Sequence, residues 1–366
     1  MQKDSLKTLA VVTSLFFFTS SLSGSFLPVY FHEELGLSIA EIVEILLFTF
    51  PLIGLLPLIL LKSIKNFERI ISYGIFLTML FYIILILIKN PIILGLAYGL
   101  SLATFWPSFN LLQFRLGETH VRARTVSLFS SIIPSLTSII GPAIGGFIIE
   151  KLTFTMLFAI VVSLYLVVFF LSLHVKYQLE CHSFSIPKSR LFIVFFTSFV
   201  VLGFSEAYWL AYPLFVLNVS GTVLNMGLVL ALSAVVISAA MFLVSWLSDI
   251  KKTRVNFALA GALLNALWFF VVSYVSTTYE IVVLSLLSGL AGAFSISWFA
   301  HYGDSFSKEH YASILVLMET GMMFGRLLNL VPTYVFMSTA SYANYFRLLG
   351  VATLFLIPIY VFSKRK

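Results

Sequence analysis

Long apolar runs are the feature that most constrains this chain. Of its 366 residues, 60% are hydrophobic and only 10% are charged, and the mean hydropathy is +1.05. Such a chain cannot cover itself with a water-solvated surface. A helix needs about 20 mostly apolar residues to cross a bilayer. The runs are continuous and do not alternate as barrel strands would, so they predict transmembrane helices.

Twelve such runs can be separated at charged residues, glycine, proline and asparagine. They are predicted at residues 6–30, 39–61, 70–88, 91–114, 126–148, 154–173, 191–217, 225–247, 255–275, 281–300, 311–335 and 345–362. A longer polar stretch follows the sixth run. The sequence therefore predicts an all-α polytopic membrane protein. It has an N-terminal six-helix bundle (1–173), a cytoplasmic linker (174–190) and a C-terminal six-helix bundle (191–366).

The basic residues favour one orientation, because positively charged loops face the cytoplasm. Eighteen of the 22 Lys and Arg residues fall on the side of both termini. Only Lys89 and Lys151 fall on the other side, and Arg326 and Arg347 fall inside spans. We therefore expect a monomer in the cytoplasmic membrane with both termini in the cytoplasm. The net charge of +7 is then explained by this pattern and by contact with anionic lipid, so no nucleic-acid partner is expected.

A weak internal repeat relates the two halves. Residues 61–65, which precede Gly74, align with residues 248–252, which precede Gly261. Both segments lie between the second and third runs of their half. The repeat predicts that the two bundles are pseudo-symmetric.

The fifth run contains a small-residue cluster around a proline. Small residues let helix backbones approach closely, and proline bends a helix. The cluster resembles the Gly-Pro-x-x-Gly-Gly motif found in the fifth helix of the major facilitator superfamily, although generic membrane packing would use the same residues. Glycines that exporters carry upstream are replaced by Ile132 and Thr137, which leaves the direction of transport open. The motif residues are Gly141, Pro142, Gly145 and Gly146.

A second motif lies in the loop between the eighth and ninth runs. Asp249, followed by Lys251 and Arg254, resembles the cytoplasmic loop motif of the same superfamily. The resemblance implies that the carboxylate holds a neighbouring helix end and braces the outward-facing state. The alternative is a positive-inside loop with one acidic residue. In the first half Lys62 occupies the acidic position, so that copy is degenerate.

Three ionisable residues inside spans are conspicuous, because a charge near the bilayer centre costs at least ~2.5 kcal/mol. Glu206 lies in the seventh run, and Glu319 and Arg326 lie in the eleventh. The latter two share a face but are separated by about 10 Å along the helix axis, so direct pairing is not expected. The functional interpretation is proton coupling or substrate contact in a water-filled cavity. The structural interpretation is a static charged contact that fixes helix packing. For Arg326 the alternatives are that it binds an anionic group of the substrate or that it neutralises one of the glutamates.

Polar and aromatic residues in the spans form a candidate substrate-contact set, although each also suits helix packing or the membrane interface. Pro213 in the seventh run is expected to bend its helix. The candidate set is Trp106, Asn110, Tyr208, Tyr212 and Trp298.

The resemblance implies a secondary active transporter that moves a small solute by alternating access. Proton coupling and drug-type efflux by antiport are the first expectation. Proton symport of a sugar or organic anion is the alternative, and a non-transporting receptor with the same fold is a third. No enzyme, cofactor or metal site is expected, because the six His fall in loops or at helix ends and no phosphate-binding loop is present.

Overall fold

The computed structural model describes residues 2–63, 70–116, 133–175, 184–251 and 254–364, and every regular element in these ranges is helical. In the N-terminal half α1 consists of Gln2–Ser23 and the short helical turns Gly24–Phe26, Leu27–Val29 and Tyr30–Glu34, followed by α2 (Ile39–Ser63), α3 (Ile70–Leu87), α4 (Pro91–Leu116), α5 (Ile133–Lys151) and α6 (Phe154–Ser172). In the C-terminal half α7 consists of Arg190–Glu206 and Ala211–Ser220, followed by α8 (Val223–Lys251), α9 (Arg254–Val272), α10 (Thr278–Asp304), α11 (Tyr311–Ser338) and α12 (Tyr342–Leu354 and Leu356–Ser363).

The predicted spans agree closely with these helices. Within the described ranges, eleven helices are long and apolar enough to cross a membrane. The helix α5, at the fifth predicted span, is not among them, so the predicted count of twelve is nearly met. The prediction of an all-α polytopic membrane protein is confirmed.

Short polar sequences fix several helix starts. The Thr153 side chain accepts a hydrogen bond from the Met156 amide at the start of α6, and Ser189 does the same for Phe192 in α7. At α10, Thr277 and Glu280 form a reciprocal capping box. These side chains satisfy amide groups that the first helical turn leaves without partners.

Helix packing repeats between the two halves with an offset of six helices. In the N-terminal half α1 packs on α5 and α6, α2 packs on α4, and α3 packs on α4 and α6. In the C-terminal half α7 packs on α11 and α12, α8 packs on α10, and α9 packs on α10 and α12. Each half is therefore a six-helix bundle with the same internal arrangement, as expected for a duplicated architecture.

The halves meet through two equivalent helix pairs. At the interface α5 packs on α8, and α2 packs on α11. The six-helix offset relates α5 to α11 and α2 to α8, so the two pairs are equivalent. In the second pair the Thr320 hydroxyl donates a hydrogen bond to the Gly54 carbonyl oxygen at 2.9 Å. A Cβ on Gly54 would lie 2.5 Å from the Met323 side chain, so the small residue permits this close contact. The space between these pairs is where the candidate functional groups lie.

Candidate functional site

The seventh helix is broken halfway along its length. Its first segment ends at Glu206, and its second segment begins at Ala211. Pro213 explains the break, because its ring lacks an amide hydrogen and conflicts with the carbonyl of Trp209, four residues earlier. The bend expected from Pro213 is therefore a complete interruption of the helix, and it leaves Glu206 at the end of a half-helix.

Glu206 faces an internal space. The charges of Arg326 and Glu319, both in α11, act on its carboxyl group. Its side chain is nevertheless exposed. The described residues offer it no hydrogen bond or ion pair. Such a carboxylate is solvated only if water reaches it through a cavity between the halves.

Glu319 and Arg326 form an ion pair within α11. The distance between Arg326 Nη1 and Glu319 Oε2 is 3.5 Å, and Glu319 is 7% exposed. The expectation that they do not pair directly is therefore wrong. Helical side chains lean toward the N-terminus of their helix, so the long Arg326 side chain extends back over the two turns that separate the backbones.

The three charged groups lie close enough to act on one another. The charges of Arg326 and Glu319 both act on Glu206, and the charge of Arg326 also acts on Tyr98 of α4. The cluster thus contains two carboxyl groups and one guanidinium group. With Arg326 paired to Glu319, the carboxyl group of Glu206 is the one that forms no ion pair among the described residues.

One face of α4 looks onto the space between the halves. Tyr98, Leu102, Trp106 and Asn110 recur every four residues and are all partly exposed. Residues between them, such as Phe105, are buried. Trp106 and Asn110 were predicted for the substrate-contact set, whereas Tyr98 was missed. The four-residue spacing upstream of Trp106 is the signal that identifies it.

Trp209 connects the break in α7 to the N-terminal half. Its ring centroid lies 5.7 Å from that of Tyr98 and 6.4 Å from that of Phe31 in α1. Both partners lie toward the end of the bundle opposite the chain termini. Trp209 therefore bridges the two halves next to Glu206 on that side.

Three residues of the predicted substrate-contact set lie elsewhere. Tyr208 and Tyr212 each pack with ring centroids 5.7 Å from that of Trp268, inside the C-terminal half. Trp298 is fully buried, and its indole nitrogen donates a hydrogen bond to Ser198 at 2.8 Å. Trp298 is corrected to a packing residue of the C-terminal bundle, because its one polar group already has an internal partner.

A cavity of about 290 Å³ lies where the fifth-helix motif meets both α1 and α8. Three serine side chains supply its polar surface. Its lining residues are Phe17, Ser20, Ser21, Gly24 and Ser25 of α1, Pro142 of α5, and Leu230 and Ala234 of α8.

The glycines of the fifth-helix motif lie at close helix contacts. A Cβ on Gly141 would lie 1.9 Å from the Ser21 hydroxyl oxygen, and one on Gly145 would lie 2.0 Å from the Leu22 carbonyl oxygen. Gly146 faces α8 in the other half, where a Cβ would lie 2.9 Å from the Val223 carbonyl oxygen. These glycines allow α5 to pack against both halves, but a gating role for them stays a prediction.

The second predicted motif is only partly visible. The side chains of Asp249 and Lys251 lie outside those that the structure describes. Arg254 forms an ion pair with Asp304 at the end of α10. This contact lies within the C-terminal half, and Asp304 was not predicted.

No group of three or more His, Cys, Asp or Glu side chains in the described ranges is placed to hold a metal ion.

Solved structures with the same arrangement of helices are transporters. The nucleoside transporter NupG matches with a TM-score of 0.72 and 12% identity, covering 99% of each chain. The Fucose:proton symporter FucP of E. coli matches with a TM-score of 0.71 and 14% identity, covering 99% of this chain and 100% of that chain. At these identities the likeness shows the fold.

Sequence comparison agrees with the fold. The curated uncharacterized protein YqgE of Bacillus subtilis (strain 168) is 22% identical over 194 residues, which are 49% of this chain and 44% of that protein. The matched part of this chain thus spans less than half the length of that relative. The family model described as Major Facilitator Superfamily matches residues 194–366. The family match thus lies in the second half of the chain, and the likeness to NupG and FucP shows that the whole chain has the same fold as these transporters.

Proposed function

We propose that this secondary transporter couples the movement of a small solute to protons, with Glu206 as the proton-binding group. The observation that carries the proposal is an exposed carboxyl group without a partner among the described residues, deep inside the protein. It lies at the end of a half-helix. Broken helices at mid-membrane are common places for coupling-ion and substrate sites in transporters. The proposal involves transport alone, without catalysis, metal or cofactor.

Alternating access gives the proton its role. When the cavity opens to water, the charged carboxylate of Glu206 is solvated. When the halves close over it, water is removed, and an unpaired charge in a dry interior costs several kcal/mol. A bound proton removes that cost. The closed state is therefore accessible mainly when Glu206 carries a proton, which ties the conformational change to proton transfer.

The pair of Glu319 and Arg326 has a supporting role in this scheme. Because Arg326 is already committed to Glu319 at 3.5 Å, the pair can enter the closed state without an additional proton. Glu206 then remains the single exchangeable site of the cluster. The static alternative for Glu319 is thus retained, and we assign proton exchange to Glu206.

For the solute, we propose a neutral, hydroxylated molecule moved in symport with the proton. The serine-lined cavity offers hydroxyl groups and no charge. Trp106 and Asn110 present an aromatic face and an amide on the same side of α4. Two proteins of this fold are described as a nucleoside transporter and a fucose:proton symporter, which supports the same class of solute. Drug-type efflux has no comparable support in these contacts.

The orientation and division of the chain form part of the proposal. We place both termini in the cytoplasm and the protein in the cytoplasmic membrane, as a monomer. The linker at residues 174–190 then lies between the bundles 1–173 and 191–366 on the cytoplasmic side. The distribution of Lys and Arg supports this orientation.

The test is uptake by the purified full chain in proteoliposomes. A panel of radiolabelled nucleosides, hexoses and deoxyhexoses is offered with and without an imposed pH gradient. We expect one or more solutes to accumulate only with the gradient inward. Glu206→Gln should abolish gradient-driven accumulation and retain exchange of solute at equilibrium. Glu150→Gln, which changes an exposed glutamate at the end of α5, is the matched control.

Two results would oppose the proposal. Accumulation by Glu206→Gln at the parent rate would remove Glu206 from coupling. Uptake of the same solute without any response to the pH gradient would remove the proton altogether. If Glu319→Gln alone abolishes the response, proton exchange belongs to α11 and not to α7.

A further inference from the structure

A buried polar network holds the break in α7. Asn329 Nδ2 donates a hydrogen bond to the Phe204 carbonyl oxygen at 2.8 Å. The Tyr345 hydroxyl donates to the Ala207 carbonyl oxygen at 3.0 Å. These two carbonyls flank Glu206. The end of a helix leaves such carbonyls without backbone partners, and here α11 and α12 supply the donors.

Each hydroxyl proton in the network can be given one acceptor. The Thr333 hydroxyl lies 2.6 Å from Asn329 Oδ1 and donates to it. The amide group of Asn329 is thereby oriented, with its nitrogen toward α7. Tyr345 is then free to use its single proton on Ala207, although Asn329 Oδ1 also lies within 2.7 Å of it. In this arrangement every side-chain polar atom of Asn329, Thr333 and Tyr345 takes part in at least one hydrogen bond.

The network lies in a dry part of the protein. Asn329 and Tyr345 are 0% exposed and Thr333 is 1% exposed. Buried hydrogen bonds of this kind cannot be exchanged for water without cost, so they define one backbone geometry. The exposed carboxyl group of Glu206 therefore projects from a backbone segment that is fixed on both sides.

We propose that Asn329, Thr333 and Tyr345 are positioning residues that hold the break in α7 and thereby aim the Glu206 carboxyl group into the space between the halves. The inference rests on the proposed function, since it assigns to the network the placing of the proton-binding group. Loss of one donor frees the Phe204 or Ala207 carbonyl, and the backbone at Glu206 then shifts to find another partner. The surroundings of the carboxyl group change with it, and so does its affinity for a proton.

The experiment follows the protonation of Glu206 directly by infrared titration of the full chain in lipid. The band of its protonated carboxyl group is identified as the one that Glu206→Gln removes. Tyr345→Phe deletes only a hydroxyl group. We expect it to shift the midpoint of this titration by about half a pH unit or more, a change of about threefold in proton affinity.

Tyr302→Phe is the matched control. The Tyr302 hydroxyl also donates to a helix carbonyl, that of Ile314, at 2.8 Å, and its side chain is also buried. It should leave the Glu206 midpoint unchanged. If Tyr345→Phe does not fold, Thr333→Val serves instead, because it removes the hydroxyl group that donates to Asn329 Oδ1 and lies 3.0 Å from the Tyr345 hydroxyl. It too should shift the midpoint.

An unchanged midpoint in a folded Tyr345→Phe protein overturns the inference, because the network is then only structural. An equal shift in Tyr302→Phe overturns it as well. So does the absence of a Glu206 band that titrates between about pH 4 and 9 in the parent protein. Uptake assays of Glu206→Gln decide the proposed function separately, because the infrared titration does not depend on transport.

Discussion

Replacing Arg326 with glutamine removes the one ion-pair partner that Glu319 has in the described part of the chain. The two charged atoms are 3.5 Å apart, and the side chains of Arg326 and Glu319 are 20% and 10% exposed. At an effective dielectric constant of about 20, this separation corresponds to a Coulomb attraction of about 5 kcal/mol. Part of that energy offsets the cost of removing both charges from water.

The single and double variants separate these two contributions. Arg326→Gln leaves a buried carboxylate without a counter-charge, which should lower the free energy of unfolding by roughly 3–5 kcal/mol at neutral pH. Removing both charges, with Arg326→Gln and Glu319→Gln together, should return the stability to within about 1 kcal/mol of the parent. The cycle is measured by reversible denaturation in mixed detergent micelles.

The loss also depends on pH with a defined sign. Protonation of Glu319 removes its uncompensated charge, so the destabilisation by Arg326→Gln should shrink as the pH falls. Arg347→Gln is the matched control, since Arg347 contacts Ser273 and the Tyr274 ring near the start of α12. Its effect should be within about 1 kcal/mol and independent of pH over the same range. Additive losses in the double variant, or a loss that grows at low pH, would refute the reasoning.

Two further predictions concern the helix contacts around the site. Trp209→Ala should remove the contact with Tyr98 and open the space beside it. A cysteine introduced at Leu102, in a protein from which Cys181 has been removed, should then react several-fold faster with a membrane-impermeant thiol reagent. An unchanged rate would exclude Trp209 as a barrier. Gly325→Ala should lower the free energy of unfolding by about 1–3 kcal/mol, because its Cβ would lie 1.9 Å from the Val200 carbonyl oxygen. Gly292→Ala is the control and should not destabilise the protein, because the space around Gly292 is open. Equal losses of stability in the two variants would contradict the packing argument.

The spans and the buried charges could be predicted because both follow from one-dimensional rules. Apolar runs of membrane length had to become helices, and Glu206, Glu319 and Arg326 were conspicuous because charges inside spans are costly. How these charges pair could not be predicted from axial distance. The contact of Arg326 with Glu319 depends on the direction in which helical side chains lean.

Contacts between distant helices were beyond the reach of the sequence pattern. Asn329, Thr333 and Tyr345 look like ordinary polar residues of membrane helices, and only the packing of α11 and α12 on α7 gives them a shared role. Trp298 was misassigned for the same reason. An aromatic residue in a span suits a cavity wall and a bundle interior equally well, and its hydrogen bond to Ser198 decides between them.

The repeat of the two halves extends to a tyrosine contact on the first helix of each half. In the N-terminal half α1 continues from Gly24 to Glu34 as short helical turns, and Tyr165 of α6 forms a hydrogen bond with Ser20 of α1. In the C-terminal half Tyr345 of α12 does the equivalent for α7. A tyrosine from the sixth helix of each half thus contacts the first helix of that half, so this tie belongs to the duplicated fold. Glu206 has no acidic counterpart near Ser20 of α1, so the proposed proton-binding group belongs to the second half alone.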